Sequence, residues 1–221
     1  MDLDHLALFP LPVVLFPGTT LPLHIFEPRY RQLLADCVEH EERFGIVRLA
    51  EGEAELDIAS GTVGCVADIV NSETLSDGRS NIVVRGAERF AFVSLVDSPH
   101  PYHVASAEPF EDEFEIGIEL DALAERVRDV FRRVARAART LADDPDPVPD
   151  LPDEAASLSF AIASMIDIEL DARQELLSSR SPLDRLRQLD GVLSAALGTI
   201  VSRAQAHTVA KTNGRGEHPD S

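Results

Sequence analysis

The stretch from Leu8 to Leu34 constrains the fold more than any other part of the sequence. It begins with an apolar run, Leu8–Phe16, that two prolines interrupt, and a Pro17-Gly18 pair follows. Proline presets the backbone for the first central position of a turn, and glycine supplies the positive φ of a type II turn. The alternating residues Leu21–Phe26 then predict a strand, and Pro28 suits the first turn of a helix. A turn, a strand and a helix are therefore expected in direct succession.

From Leu6 to about Phe110 the sequence predicts mostly short strands, apart from one helix over 28–40. Asp77-Gly78 is a strong hairpin signal, and Gly86 indicates a turn or a bulge between two strands. Short strands separated by turn residues are typical of a small barrel or sandwich. The core-facing stripe predicted for the helix is Tyr30, Leu33, Leu34, Cys37 and Val38. The predicted strands are Phe44–Leu49, Val63–Val70, Asn81–Arg85, Arg89–Val96 and His103–Ala107.

The apolar period changes to 3.6 residues after the acidic segment Glu108–Glu115. From Leu120 to Leu141 the apolar residues form one helical stripe, as in a helix that packs on a core. Two interpretations of the arginines on a separate face stay open: they pair with acidic segments of the same chain, or they dock an acidic partner. These residues are Arg128, Arg132, Arg136 and Arg139.

An acidic, proline-rich connector, Asp143–Asp150, cannot be helical and separates this helix from further helical patterns. The final residues are polar and show no period, which is typical of disorder. The sequence thus predicts a β-rich lobe over 1–110, a helical lobe over 111–206 and a disordered tail over 207–221.

The opening stretch also resembles the N-terminal substrate-binding domain of Lon proteases. The resemblance covers most of the chain up to about residue 200. It implies an α+β fold, in which an N-terminal PUA-like β pseudobarrel with one helix precedes a C-terminal α-helical bundle. Because that domain also occurs without a protease, the chain resembles a stand-alone member of the Lon N-terminal domain family. The residues that carry the resemblance are Leu8–Leu34, Gly61–Gly64, Asp77–Gly86, Glu88–Phe90, Asp171–Leu177 and Ser181–Leu186.

No catalytic motif of Lon proteases is present in these 221 residues. A P-loop and a Ser-Lys dyad each need a lysine, beside the phosphates or the nucleophile. The only lysine, Lys211, follows Ala210 and lies in the predicted tail. His100 and His103 lie near Asp97, but no further ligand is spaced to complete a zinc site. We therefore expect no enzyme activity, no catalytic residue, no metal and no cofactor.

The net charge of −19 argues against nucleic acid as a partner, because such binding needs a basic surface. It also disfavours anionic membranes, and no apolar run approaches the roughly 20 residues of a membrane span. Cys37 and Cys65 are expected to be reduced core residues, as in a cytoplasmic protein.

The resemblance implies noncatalytic binding of unfolded or extended polypeptides, with a protease or a chaperone as a further class of partner. An extended peptide could add to an edge of the barrel, and the cleft between the two lobes is the default pocket. Two other classes stay open: a PUA-like RNA-binding protein, and an enzyme of unrecognised type. The oligomeric state is left open.

Five residues inside or beside the family-like motifs are the candidates for peptide binding: Phe16, Arg29, Tyr30, Arg85 and Arg89. The alternative is structural, with Glu27 and Arg29, and likewise Arg85 and Arg89, in ion-pair networks that lock the barrel to its helix. The carboxylates of 111–115 are predicted to be a solvated run.

Overall fold

The computed structural model describes residues 3–50 and 52–213. That part of the chain forms a mixed α and β fold with six strands and five α-helices, and none of its helices is long and apolar enough to cross a membrane. A 3-10 helix, Glu55–Asp57, precedes the fourth strand. The strands are β1 (Leu6–Leu11), β2 (Thr20–Ile25), β3 (Phe44–Arg48), β4 (Val63–Thr74), β5 (Ser80–Val96) and β6 (His103–Pro109). The helices are α1 (Pro28–His40), α2 (Ile118–Ala142), α3 (Ala155–Met165), α4 (Leu170–Ser178) and α5 (Pro182–Asn213).

Apart from α1, the strands precede the helices along the chain, as the change of period predicts. One difference is that the predicted strands 81–85 and 89–96 are a single strand, β5, with Gly86 inside it. Another is that α5 continues to Asn213, so residues 207–213 are helical where the sequence predicts disorder. The remainder of that predicted tail, 214–221, lies outside the described residues.

β5 organises the sheet, because it pairs with three strands: β2, β4 and β6. The strand order is β2-β5-β4-β3-β1-β6, and the additional β5–β6 pairing closes five strands into a ring. β2 lies outside that ring, on the N-terminal half of β5. There it forms a three-stranded arm with β5 and the C-terminal half of β4. In the ring, β1 and β3 pair in parallel, whereas the other pairings are antiparallel.

The predicted Pro17-Gly18 turn forms and docks on β5. Gly18 has a φ of 75°, and the Thr19 backbone nitrogen donates to the Phe16 carbonyl oxygen at 3.2 Å. Gly18 donates to the Gly86 carbonyl at 2.8 Å, and Gly86 donates to the Thr19 carbonyl at 2.9 Å. A Cβ on Gly86 would lie 2.2 Å from the Phe16 carbonyl oxygen, so only glycine permits this approach. Gly86 therefore marks a docking point beside a bulge of β5, not a turn.

Contacts divide the chain into two compact units. The first unit comprises Met1–Glu113 and Ala163–Arg180, and the second comprises Phe114–Ile162 and Ser181–Ser221. The six strands, α1 and α4 thus belong to the first unit. The sequence predicts lobes that are continuous along the chain, because periodicity alone groups α4 with the other helices.

In the first unit, the strands alternate between two apolar clusters. β1 contributes Leu6 and Leu8 to one cluster and Phe9 to the other. The cluster with Phe9 includes the buried residues of α1, as the amphipathic spacing of that helix requires. α4 is fixed to the strands by polar contacts: Gln174 donates to the Val63 carbonyl at 2.9 Å.

In the second unit, α2 and α5 pack against each other. Ser181 caps α5 as its sequence pattern predicts, because its hydroxyl accepts a hydrogen bond from the Asp184 backbone nitrogen at 3.0 Å. Arg185 is fully buried; it donates to Ser159 Oγ at 2.8 Å and stacks on the Phe160 ring. A buried arginine therefore fixes α5 to α3.

Candidate functional site

The five residues predicted to bind peptide lie in different environments. Phe16, Tyr30 and Arg89 are buried, with 1%, 3% and 5% of their surface exposed. Arg29 is half-buried and Arg85 is exposed. Of the five, only Arg29 and Arg85 can therefore meet a ligand without a rearrangement of the core, and a peptide-binding role for the set stays a prediction.

Glu55 gathers two of these residues into a polar cluster. Arg29 donates to both carboxylate oxygens of Glu55 at 2.5 and 2.7 Å, and to Glu27 at 3.1 Å. The Tyr30 hydroxyl donates to Glu55 at 3.1 Å, and His103 Nε2 lies 2.9 Å from the same carboxylate. This geometry supports the structural interpretation of Arg29. The sequence carries no signal for Glu55, which lies in an acidic loop among similar residues.

The protonation states of Arg29, Tyr30 and Glu55 are fixed at neutral pH. Burial would raise the pKa of the Glu55 carboxyl, but hydrogen bonds from Arg29, Tyr30 and His103 outweigh it and hold that pKa below its ordinary value. The bond to Glu55 raises the pKa of Arg29, and burial raises the pKa of the Tyr30 hydroxyl. Because these groups keep their charge states at neutral pH, the cluster acts as a clamp between α1 and the 3-10 helix.

Arg89 is a structural anchor between β5 and α4. Its Nη1 donates to the carbonyl oxygens of Leu177 at 2.6 Å and Ser179 at 2.7 Å, and its Nη2 pairs with Asp112. The guanidinium also lies 4.8 Å from the centre of the Phe110 ring. Asp112 is therefore half-buried in an ion pair with a buried arginine, and is not part of a solvated run as the sequence predicts.

The arginine face of α2 has two parts. Arg128 is buried and donates to the backbone carbonyl oxygens of Leu151, Pro152 and Asp153. Arg139 pairs with Asp144 at 3.0 Å. The contact of Arg139 supports pairing with the acidic segment 143–150, whereas Arg128 is held by backbone carbonyl oxygens just beyond that segment. Arg132 and Arg136 lie between them, exposed and without an ion pair in the described residues, so a docking role for these two stays a prediction.

The arm has an open strand edge. β4 pairs with β3 only over 65–67, so in the described chain residues 68–74 pair with β5 alone. β2 also has one unpaired side, but Pro22 removes a backbone donor there, a device that hinders the addition of another strand. Residues 68–74 contain no proline. This part of β4 is therefore the edge that can accept a further strand.

The backbone groups at that edge can be assigned from the hairpin. Leu75 donates from its backbone nitrogen to the Arg79 carbonyl at 2.7 Å. In an antiparallel ladder such bonded pairs alternate with pairs whose N–H and C=O groups point away from the partner strand. Ser72 and Thr74 therefore present their backbone groups to the open edge.

Beside this edge lies a groove of about 620 Å³, which we name the edge groove. Its size is that of a small ligand pocket. The α1 wall is apolar at Leu34, Ala35 and Val38, and Val38 is 57% exposed although its helical spacing predicts a core position. The groove is lined by Pro28, Arg31, Gln32, Leu34, Ala35, Val38, Ser72, Thr74, Gly78 and Ser80.

The groups available for catalysis are dispersed. Within residues 3–50 and 52–213, no three or more His, Cys, Asp or Glu side chains are grouped so that they could hold a metal ion. His100 lies 3.5 Å from Asp36, away from the Glu55 cluster. Cys37 and Cys65 are free and buried, and burial raises the pKa of each thiol to about 12. Neither thiol forms an appreciable thiolate at neutral pH, so neither is suited to nucleophilic catalysis.

Comparison with known proteins gives a consistent result. The model of the ATP-dependent protease La (LON) substrate-binding domain matches residues 5–194. Lon protease 2 of Herpetosiphon aurantiacus is 26% identical over 191 residues, which cover 85% of this chain and 23% of that protein. The Lon protease of Anaeromyxobacter dehalogenans is 28% identical over 169 residues, which cover 75% of this chain and 20% of that protein. The chain thus spans a quarter or less of these relatives.

Two solved structures share the fold. The crystal structure of a Lon N-terminal domain protein from Xanthomonas campestris has a TM-score of 0.61 at 27% identity, and the match covers 84% of this chain and 96% of that one. The N-terminal domain of Mycobacterium avium complex Lon protease has a TM-score of 0.66 at 16% identity, with 86% and 98% covered. At 16% identity, the second match is evidence for the fold alone.

Proposed function

Because the chain belongs to the family of the LON substrate-binding domain, we propose that it binds polypeptides and catalyses no reaction. Family membership supports the polypeptide as the class of ligand. The open edge of β4 beside the edge groove is the observation that carries the proposal. The fixed charge states of Arg29, Tyr30 and Glu55, together with the two buried thiols, support a noncatalytic role.

The proposed mode of binding is strand addition. An extended segment lies along β4 and exchanges backbone hydrogen bonds with Ser72 and Thr74. Every second side chain of that segment then enters the edge groove, where Ala35 and Val38 favour apolar residues. Because most of the recognition is through backbone groups, many sequences fit, as binding of unfolded polypeptides requires.

We also infer the finer architecture. The ring of five strands is a PUA-like pseudobarrel, and its closure through the β5–β6 pairing supports this assignment. The packing of α2 on α5 supports a C-terminal helical bundle.

The edge groove can be tested with fluorescein-labelled β-casein, an extended polypeptide, by fluorescence anisotropy. Ser72→Pro removes an outward backbone donor, and Val38→Asp places a charge in the groove. Val209→Asp is a matched control, since Val209 also lies on a helix and is 58% exposed, against 57% for Val38. We expect Kd to rise about tenfold or more, equivalent to about 1.4 kcal/mol, in each groove variant and to stay unchanged in the control. Wild-type Kd values in both folded groove variants would refute the site.

The noncatalytic part of the proposal has a separate test. The purified protein is expected neither to release phosphate from ATP nor to cleave casein. Lys211, the only lysine of the sequence, falls in the predicted tail, but the structure places it on α5, and its ammonium group pairs with Asp143. ATP turnover that survives Lys211→Ala would contradict the noncatalytic role and leave the measured binding of casein intact.

A further inference from the structure

Three large apolar side chains are exposed within five residues of the segment that leads into α2. Phe114, Ile116 and Ile118 are 89%, 79% and 89% exposed. Exposed apolar residues are ordinary when they are scattered singly, but a contiguous group marks a surface that binds a partner. We name these three side chains the 114–118 patch.

The local backbone holds the patch outward. The Glu115 carboxylate accepts a hydrogen bond from the Leu183 backbone nitrogen at 2.9 Å, which turns Glu115 inward between two exposed neighbours. Gly117 then has φ 141° and ψ 168°, a conformation that is essentially restricted to glycine. The buried stripe of α2 begins only at Leu120. The backbone geometry of this segment therefore keeps the three side chains apart from the buried stripe of α2.

The surroundings of the patch are acidic. Glu119 and Asp121 occupy the first turn of α2, and both are exposed. Arg187 already pairs with Glu119 at 2.6 Å, so Asp121 is the carboxylate of this turn that is available to a cation of a partner. The whole chain carries a net charge of −19. A second copy of the chain would bring an equally acidic rim to the contact, and like charges brought together oppose association. A partner whose apolar residues lie beside basic residues complements both the apolar patch and its acidic surroundings.

We propose that the 114–118 patch docks a polypeptide segment whose large apolar side chains are flanked by lysine or arginine. The apolar side chains cover Phe114, Ile116 and Ile118, and the flanking cations face Asp121 and compete with Arg187 for Glu119. The patch shares no residue with the edge groove, so its role does not depend on strand addition to β4. It is a second interaction surface, and its acidic surroundings differ from those of the edge groove, which Arg31 lines.

Two synthetic peptides test this charge preference. Both are labelled with fluorescein and share the apolar sequence Leu-Phe-Ile-Leu; two lysines flank it on each side in one peptide, and two glutamates in the other. At low salt we expect the lysine peptide to bind about tenfold or more tightly than the glutamate peptide. The difference should shrink between about 0.05 M and about 0.5 M NaCl, because salt screens exposed charges. Equal affinities at low salt would overturn the charge preference.

Substitutions in the 114–118 patch test whether the lysine peptide binds there. The triple variant Phe114→Ser, Ile116→Ser and Ile118→Ser should lose the lysine peptide about tenfold, with an unchanged melting temperature because the side chains are exposed. Phe26→Ser with Leu56→Ser is the matched control, since these residues are 60% and 72% exposed and should not affect binding. If the triple variant binds the lysine peptide as the wild type does, or if only Val38→Asp weakens that binding, the peptide does not bind at the 114–118 patch. Sedimentation that shows a wild-type dimer and a monomeric triple variant would instead identify a second copy as the occupant and overturn the proposal.

Discussion

Replacement of Arg89 by alanine should destabilise the first unit strongly. The side chain is 5% exposed, donates to two carbonyl oxygens of the α4 end at 2.6 and 2.7 Å, and pairs with Asp112. Removal of one partner from a buried ion pair costs about 3–5 kcal/mol. Because 21% of the Asp112 side chain is exposed, water can solvate part of the remaining carboxylate. We therefore expect the lower part of that range, about 3–4 kcal/mol.

Urea unfolding followed by circular dichroism measures this loss, and thermal unfolding gives a second estimate. For a chain of this size, about 3–4 kcal/mol lowers Tm by about 6–16 °C. Arg79→Ala is the control, because Arg79 forms an exposed pair with Asp77, at 49% and 47% side-chain exposure, and such pairs contribute about 0–1 kcal/mol. If Arg89→Ala unfolds within about 1 kcal/mol of the wild type, Arg89 is not the anchor between β5 and α4.

Three further predictions concern Gly86, Glu55 and the two cysteines. Gly86→Ala should cost about 1–3 kcal/mol in urea unfolding, because its Cβ would lie 2.2 Å from the Phe16 carbonyl oxygen; a loss below about 0.5 kcal/mol would mean that the turn can move aside. Glu55→Gln should destabilise at neutral pH and much less in acid. The ordinary pKa of the carboxyl is 4.5 and its folded pKa is lower, so its contribution is complete above pH 4.5 and is lost as the pH falls through the folded pKa; an unfolding difference that is equal at about pH 7 and about pH 3 would contradict this. Cys37 and Cys65 should react with iodoacetamide only after unfolding, since burial raises their pKa values to about 12; rapid labelling of the native protein, seen by mass spectrometry, would exclude the buried state.

Elements set by local chemistry could be predicted from the sequence. The Pro17-Gly18 turn, the start of α1 at Pro28 and the Ser181 cap each depend on residues within a few positions of one another. The hairpin at Asp77-Gly78 also forms as predicted. For these features the physical cause lies inside the window that a sequence pattern covers.

Features set by distant contacts could not be predicted. The sequence predicts a turn or a bulge at Gly86, and a bulge lies beside it, but the approach of Phe16 to Gly86 has no local signal because Phe16 belongs to another part of the chain. The carbonyl partners of Arg89 at the end of α4 lie 88 and 90 positions further along, so its burial has no local signal. Val38 fits the apolar stripe of α1, yet it borders the edge groove because β4 does not cover it. Whether a surface is left open depends on the full set of neighbours, which periodicity does not contain.

Because Arg89 binds the end of α4, the sheet cannot complete its contacts until α4 has been synthesised. The last strand ends at Pro109, whereas the carbonyl oxygens that Arg89 binds belong to Leu177 and Ser179. At about 5–20 residues per second, a ribosome releases the six strands several seconds before it releases α4. During that interval the guanidinium lacks two of its acceptors, so the sheet is without its contact to α4. A fragment that ends at Glu113 would hold the sheet in that unfinished state permanently.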